Sequence, residues 1–581
     1  MQVALTDGSM SPNWTIVIGR GCVVAWLLFS AMVASNAVGV IASASTAVFM
    51  ICAACFQGAL LTLPLLLCYG GARLSRRLEL RGRVARTGTA VVFAVIFAAT
   101  IAALWLDWRI YGLFGYHING FVVNLVFTPG GLDALDASTA AWWTVGFGFL
   151  LGVAALYTVI SHRLRRPHVA RARTGIAVML VAAALLGVVE KVMYGVAHLR
   201  GDERLVSAAL IVPGYVPLTF QHFARSVGWA PKTRERGPRM QGGPLNYPLQ
   251  PLDLAPVARP PNMIWLVAES LRADQLSPAV MPSIWSFSER NLRFEQHFSG
   301  GNNTRMGMFT LFYSLHGPYW FKVLAARRPP VLFDVLNQLG YDVQVYTSAK
   351  FSYPEFDRTI FSTVPETRRH EFVGSEPRWQ RDAINVDRLL ESVDNRDPSG
   401  PFFRFMFFES THASYYAPDN DGDVNYALLD PERDLPILKA RYANAARYLD
   451  SQIARILDRV ERDPLLEDTI VLITGDHGEE FMEHGRWGHG STFGDEQLEV
   501  PMVLRIPGVA ARVIRTQTTH LDIIPTLLPL LGVSNATDTY AQGYSVLDAG
   551  AATRKPWHVA TQWTGIGIID AEHIATMPLN G

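Results

Sequence analysis

Residues 469–490 read TIVLITGDHGEEFMEHGRWGHG. The run Thr469 to Thr474 is apolar or β-branched at every position and stops at Gly475, Asp476, His477 and Gly478. A run that does not alternate with polar residues is a strand covered on both faces, which implies a mostly parallel sheet between layers of helices. In sheets of that kind chemistry belongs just beyond the carboxyl ends of the strands. Asp476 and His477 stand at that point and offer a carboxylate and an imidazole, ligands suited to a divalent cation. Taken alone, the pair also suits a solvated turn.

Further runs of the same kind lie on either side: NMIWLVA from 262, YDVQVYT from 341, FFRFMFF from 402 and PMVLRI from 501, with longer amphipathic stretches between them. The first run ends in Glu269, within AESLRAD, a second carboxylate at a strand end that serves equally as a helix cap or a metal ligand. Between these motifs, SGGNNTRMGMFTLFYSL at 299–315 carries a Gly-rich turn that delivers Thr304 to the start of an apolar helical run. There a hydroxyl meets the free N–H groups and the positive end of a helix, an environment that suits a phosphoryl group. Thr304 read alone is an N-cap; it is a nucleophile only if a metal ion lowers its pKa. Tyr353, Asp357 and Arg358, in the stretch 323–400, are polar residues from which substrate contacts would come.

The first two hundred residues are of another kind. Five apolar stretches, 22–42, 46–69, 89–107, 141–160 and 175–197, each approach the roughly 20 residues a helix needs to cross a bilayer. Loops rich in arginine, 73–86 and 163–173, are cytoplasmic by the positive-inside rule, whereas 108–140, with Asp133, Asp136, Trp108, Tyr111, Phe114 and Tyr116, suits the outer interface. An odd number of spans then puts everything after the fifth outside. A signal peptide is the competing reading of the first span, weakened by the four that follow. Glu190 and Lys191, in the fifth span, read as a pair that snorkels to the interface or lines a polar path. Residues 201–228, interrupted by Pro213 and Pro217, read as an interfacial elbow, and 229–261 as a mobile Pro/Gly/Arg-rich tether. The divisions expected are 1–200 transmembrane, 201–261 elbow and linker, 262–550 catalytic, and 551–581 a C-terminal extension with room for one final strand.

Composition narrows the chemistry. Lys plus Arg and Asp plus Glu each number 51, so no basic excess points to nucleic acid. All four cysteines, Cys22, Cys52, Cys55 and Cys68, lie in the membrane half, which leaves the soluble half no thiol to cross-link, ligate zinc or attack a substrate.

AESLRADQL, GGNNTRMGMFTLFYSL, STHASYY, TGDHGEEFMEHGRWGHG and THLDIIPTLLPLLGV together resemble the sulfatase branch of the alkaline phosphatase superfamily. Within it, Thr304 resembles the nucleophile of membrane-anchored phosphoglycerol and phosphoethanolamine transferases, including lipoteichoic acid synthases. The five spans, the elbow YVPLTFQHFARSVG and NTRMGMFTLFYSLHG look most like the YejM/PbgA inner-membrane group. The resemblance implies a multi-pass protein of the bacterial inner membrane with a periplasmic α/β domain built on a central mixed, mostly parallel sheet. It implies a divalent metal, Mn, Mg or Zn, held by Glu269, Thr304, Asp476 and His477. Thr304 would be the nucleophile, and His412 and His489 would contact substrate phosphate, protonate a leaving alcohol or simply hydrogen-bond. Arg305 would clamp a phosphate oxygen or be an unremarkable helix residue.

Two departures from family patterns matter. True sulfatases need C/S-x-P-x-R, whereas this chain has Asn303-Thr304-Arg305-Met306-Gly307, which argues against sulfate ester hydrolysis. Phosphoethanolamine transferases usually carry disulfides in their soluble domain, and none can form here. The YejM/PbgA resemblance also implies a competing role as a non-catalytic sensor of lipopolysaccharide or cardiolipin, although this chain keeps TGDHGEE intact. Under either reading the partners are membrane lipids.

Overall fold

A computed structural model describes residues 13–37, 43–77, 83–131, 139–164, 172–228, 243–548 (apart from 373, 375, 421–428 and 463) and 556–579. They form two compact units, one made of Met1–Gly112, Tyr116–Asn119 and Ser138–Pro238, the other of Leu113–Gly115, Gly120–Ala137 and Arg239–Gly581.

In the first unit, five helices among the described residues are long and apolar enough to cross a membrane: Trp14–Ser35, Ala44–Leu74, Thr87–Phe114, Trp142–Arg163 and Thr174–Arg200. Their number matches the sequence expectation and their ends do not. The first helix, Asn13–Ser35, begins nine residues before the expected Cys22, because a single Arg20 near one end does not stop a helix. The others overrun their apolar windows with more polar ends. Cys22, Phe29, Phe49, Phe93 and Phe97 pack inward. Leu27, Leu67, Leu151 and Val188 point outward, as lipid-facing side chains do. Asp133, Asp136 and much of both arginine-rich loops lie outside the described residues.

Glu190 does not snorkel. It is fully buried, paired with Lys191 Nζ at 2.8 Å and accepting a 2.7 Å bond from the Tyr215 hydroxyl, while Lys191 also donates to the Val216 carbonyl. The elbow thus folds back onto the fifth span through Tyr215 and Val216. Its short helices, Glu203–Ala209 and Gln221–Ser226, leave Leu210, Val216 and Phe223 exposed.

The second unit is built on one eight-stranded sheet: β1 Asn262–Ala268, β2 Leu292–Phe294, β3 Asp342–Thr347, β4 Arg369–Glu371, β5 Phe402–Phe408, β6 Thr469–Gly475, β7 Met502–Arg505 and β8 Arg512–Ile514. Its order is β8-β2-β7-β6-β1-β5-β3-β4. Pairing is parallel except where β7 runs antiparallel to β6 and β2. The fold is therefore α/β with a mixed, mostly parallel sheet, as expected.

The unbroken apolar runs have a direct structural cause. Met263, Trp265 and Val267 of β1 face one core, with Phe309 and Phe312 of the helix Thr304–Tyr313. Ile264, Leu266 and Ala268 face the other, with Leu389 of the helix Arg378–Asp394 and Leu449 and Ile453 of the helix Pro431–Arg462. Arg404, the one charge in FFRFMFF, is fully buried and bonds Asp342 at 2.6 Å and the Ser392 hydroxyl at 2.9 Å, which removes the cost of an unpaired buried cation.

Two linker expectations change. Residues 229–242 lie outside the described residues, but 243–261 is no mobile tether. Tyr247 is buried against Tyr313, and the amides of Leu249 and Ala255 donate to the carbonyls of Thr539 and Gly532. A Pro-rich strip lacks a hydrophobic period, yet it can still satisfy its backbone against a neighbouring loop. The last residues form a three-stranded antiparallel sheet, Trp557–Gln562, Gly565–Asp570 and Ile574–Pro578, with Ala560 and Ile569 packed against Phe298, Phe493 and Leu498.

Candidate active site

Glu269 follows β1, and Asp476 and His477 follow β6, the strand paired directly with it, so adjacent strand ends set the acids side by side. Asp476 Oδ1 accepts from the amides of Ser270 at 2.9 Å and of His477 at 2.8 Å. Among the described residues its Oδ2, also buried, has no hydrogen-bond partner. Ser270 has a left-handed backbone, φ 57°, held on its other side by the Tyr442 hydroxyl, which donates to the Ser270 carbonyl at 2.6 Å. A non-glycine residue in that region carries strain that surrounding contacts must support, a common feature of functional sites.

Thr304 heads its helix but does not cap it. Asn303 does, its side chain accepting from Met306 N, which leaves the Thr304 hydroxyl free to donate to Glu269 Oε1 at 2.6 Å. His477 Nε2 lies 3.4 Å from Thr304 Oγ1, 3.4 Å from Asp476 Oδ2 and 3.6 Å from Glu269 Oε1. His477 Nδ1, 2.8 Å from the Gly478 carbonyl, can only donate to it, so Nε2 presents its lone pair to the cluster. The helix approaches β6 closely because Gly307 has no side chain: a methyl group there would fall 2.1 Å from the Asp476 carbonyl oxygen. Ser299 Oγ donates to that same carbonyl at 2.6 Å.

Ligand-type atoms of Glu269, His477 and His489 lie within 4.8 Å of one another. Glu269, though burial works to raise its pKa, is held down to about 2 by the imidazoles around it, His477 at 3.6 Å and the nearby His412 and His489. Asp476 is pushed well above the usual carboxylate range by burial and by the charge of Glu269 beside it. Two acids this close, one of them with an orphaned oxygen, make a donor set that a cation completes. The residues present therefore fit a divalent metal. His412 is half-buried, with its ring 5.9 Å from that of His489 and its pKa lowered by burial. His489 Nδ1 donates to Glu479 Oε2 at 2.8 Å, and the Tyr415 hydroxyl bonds the other Glu479 oxygen at 2.9 Å.

Arg305 is placed otherwise than its neighbour. It is buried, with Nη2 2.7 Å from Glu355 Oε2 and 2.9 Å from Asn124 Oδ1, and its guanidinium lies near the rings of Trp563, Trp320 and Tyr353. Its charge is already matched, and it has the character of a structural pin.

Sequence reading missed Glu479, His520 and Asn124. Glu479 is legible as the fourth residue of Asp476-His477-Gly478-Glu479, where it reads as a surface acid. His520, inside the quoted THLDIIP motif, lies with Nδ1 3.2 Å from the Gly307 carbonyl and Nε2 3.1 Å from that of Gly475; burial lowers its pKa to about 4, so as a neutral ring it donates to one of the two. Nothing in the sequence marks Asn124, which lies in the loop between the third and fourth spans.

A sulfatase family model matches residues 261–533, and a domain of unknown function, DUF3413, matches residues 28–254. The chain is 26% identical over 510 residues to the inner membrane protein YejM of Salmonella typhimurium, covering 84% of this chain and 79% of that one. It is 35% identical over 227 residues to a choline-sulfatase of Rhizobium meliloti, covering 37% and 41%. Among solved structures it is similar to a phosphonate monoester hydrolase of Agrobacterium radiobacter, with 16% identity, 55% and 89% coverage and a TM-score of 0.42. It is likewise similar to the lipoteichoic acid synthase LtaP of Listeria monocytogenes, with 15% identity, 56% and 86% coverage and a TM-score of 0.41. The chain is thus a membrane protein with YejM-like organisation whose residues 261–533 form a sulfatase domain of the alkaline phosphatase superfamily.

Proposed function

We propose that the chain is a metal-dependent phosphotransferase or phosphohydrolase that acts on phosphodiester headgroups of envelope lipids through Thr304, on the periplasmic side of the inner membrane. The observation that carries this reading is the Thr304 hydroxyl donating to Glu269 Oε1 beside the Nε2 lone pair of His477 and the unpartnered oxygen of Asp476. Glu269, Asp476 and His477, with His489 alongside, would hold a divalent cation. When bound, such a cation supplies the positive charge that makes a neighbouring hydroxyl acidic.

The chain's own groups do the rest. Glu269 orients the Thr304 oxygen through its 2.6 Å bond. That oxygen attacks phosphorus, the bond to the departing alcohol breaks, and a phosphothreonine forms, which water or a second alcohol then cleaves. His412, kept neutral at neutral pH by burial, is suited to take up the threonine proton and return it to the leaving oxygen. His489, oriented by Glu479 and with its ring 5.9 Å from that of His412, is suited to the same service. Five spans hold the site at the bilayer, where a lipid substrate is concentrated and a soluble one is not.

The test is metal content together with hydrolysis of bis-p-nitrophenyl phosphate by the purified full chain and its Thr304→Ala variant. About one metal per chain and a loss of at least roughly a thousandfold in the variant are expected. Absence of stoichiometric metal, or turnover indifferent to Thr304, sinks the mechanism.

A second reading, a sensor of lipopolysaccharide or cardiolipin, is favoured by the similarity to YejM along 84% of the chain and by the pairing of Arg305 with Glu355, which already matches its charge. Lipid binding with no turnover by a metal-loaded chain would select it.

A further inference from the structure

The end of the third span and most of the loop after it, Leu113–Gly115 and Gly120–Ala137, belong to the catalytic unit, while Tyr116–Asn119 belongs to the other, and these segments grip the catalytic unit at several points. Leu113 is buried with Tyr415, Tyr442, Phe481 and Trp487. Asn124 accepts from Arg305, the residue after the nucleophile, and Phe121 packs on Trp563, with 5.5 Å between ring centroids. A methyl group on Gly130 would fall 2.9 Å from Ser352 Oγ.

The helix in this loop, Gly120–Phe127, reads GFVVNLVF: it carries no charge, and none of its residues is buried. Phe121 and Asn124, three residues apart, share the face turned to Arg305 and Trp563. Val123, Val126 and Phe127 form a contiguous strip beside and behind that face and are 50%, 41% and 81% exposed. In water that arrangement is costly, since Phe127 keeps most of its surface exposed, Val123 and Val126 keep about half of theirs, and the outer side of the helix carries no polar side chain. The sequence on either side supplies the solvent that resolves it, because helices long and apolar enough to cross a bilayer flank the loop, Thr87–Phe114 before it and Trp142–Arg163 after it.

We propose that Gly120–Phe127 seats the active site on the outer leaflet, with Val123, Val126 and Phe127 inserted among lipid chains while Phe121 and Asn124 hold Trp563 and Arg305. The occupant of the apolar face is the bilayer itself. One helix, about 10 Å across, then separates the nucleophile's neighbour from lipid. Phe321, half exposed and edge-on to Trp563 at 5.3 Å, extends the apolar rim. The functional part of the proposal, that this seating delivers headgroups to Thr304, rests on the catalytic reading above; the seating does not.

The experiment replaces Phe127, and separately Phe121, by photoreactive p-benzoylphenylalanine in the full chain, reconstituted in vesicles of phosphatidylethanolamine and phosphatidylglycerol. Irradiation is expected to add the mass of one phospholipid at position 127 and to give an intrachain adduct at 121. A probe at 127 that yields no lipid adduct, or that couples to a second copy of the chain, overturns the seating. In parallel, Val123→Asp with Phe127→Asp is expected to lower turnover of vesicle phosphatidylglycerol about tenfold relative to that of bis-p-nitrophenyl phosphate. An unchanged ratio overturns the delivery role. If the unaltered chain turns over neither substrate, the catalytic reading and the delivery role fall together, and cross-linking alone decides the seating.

Discussion

Glu190 in the membrane unit and Asp476 in the catalytic unit are both wholly buried acids, yet their surroundings are opposite. Glu190 has a cation, Lys191, and a donor, Tyr215, within 2.8 Å, so its charge is closed off inside the chain. Asp476 has backbone donors on one oxygen, no hydrogen-bond partner among the described residues on the other, and a second acid, Glu269, as its neighbour. A fold keeps a buried charge cheaply only by pairing it. Where it leaves one open, the missing partner has to come from outside, and the two acids together separate a structural ion pair from a site.

The largest effect expected from this contrast is at the open acid. Asp476→Asn should remove metal binding and lower turnover by about a thousandfold or more, while leaving the metal-free chain no less stable, because the amide keeps an oxygen for the Ser270 and His477 amides and cannot ionise where burial and Glu269 oppose a charge. Metal analysis and thermal unfolding with and without chelator check both parts. A loss of metal-free stability would mean that Asp476 is paired after all.

At the closed acid the sign reverses. Glu190→Gln strands Lys191 and should cost about 3–5 kcal/mol in the membrane unit, whereas Glu190→Gln with Lys191→Met should recover most of it. Unfolding of the single and double variants in detergent gives the comparison.

Asp382 lies between these extremes. Burial raises its pKa from 3.8 to about 6, despite bonds from Ser410 and the Glu409 amide. The folded form therefore holds its proton more tightly than the unfolded chain does, and stability should fall as pH rises from about 4 to about 6. The total is about 3 kcal/mol. Asp382→Asn should remove that slope in pH-dependent unfolding.

The smallest change is expected at Glu479→Gln, which keeps a bond to His489 but loses the charge behind it. A loss of about 10- to 100-fold in metal affinity or turnover is the usual size for such a partner. An effect on kcat without one on metal affinity would assign His489 to proton transfer rather than to ligation.

The sequence made the site legible where chemistry coincides with a strand end. NMIWLVA followed by Glu269, and TIVLIT followed by Asp476 and His477, each announce a covered strand and a polar residue at its exit, and adjacency of the two strands did the rest. Contacts that close over long separations were not legible. Arg305 meets Asn124 across 181 positions, and no local pattern marks either end. Strands of three residues, such as Leu292–Phe294 and Arg512–Ile514, are too short to show a period. The strip 243–261 was misread because it lacks the apolar period that marks packed elements, although it packs by its backbone. The spans were counted correctly from hydropathy, but their ends depend on helix continuation beyond the apolar window, which hydropathy does not report.

Gly307 brings the nucleophile's helix against the backbone of Asp476, with Ser299 donating to the Asp476 carbonyl and His520 lying between the carbonyls of Gly307 and Gly475. At Gly307 backbone meets backbone, with no side chain of the helix there to yield. Small displacements of β6 therefore reach Thr304 undamped, and the distance between nucleophile and ligands is set once, at folding. A site fixed in this way should reorganise little, and its selectivity should then lie in what is admitted to it rather than in how it rearranges.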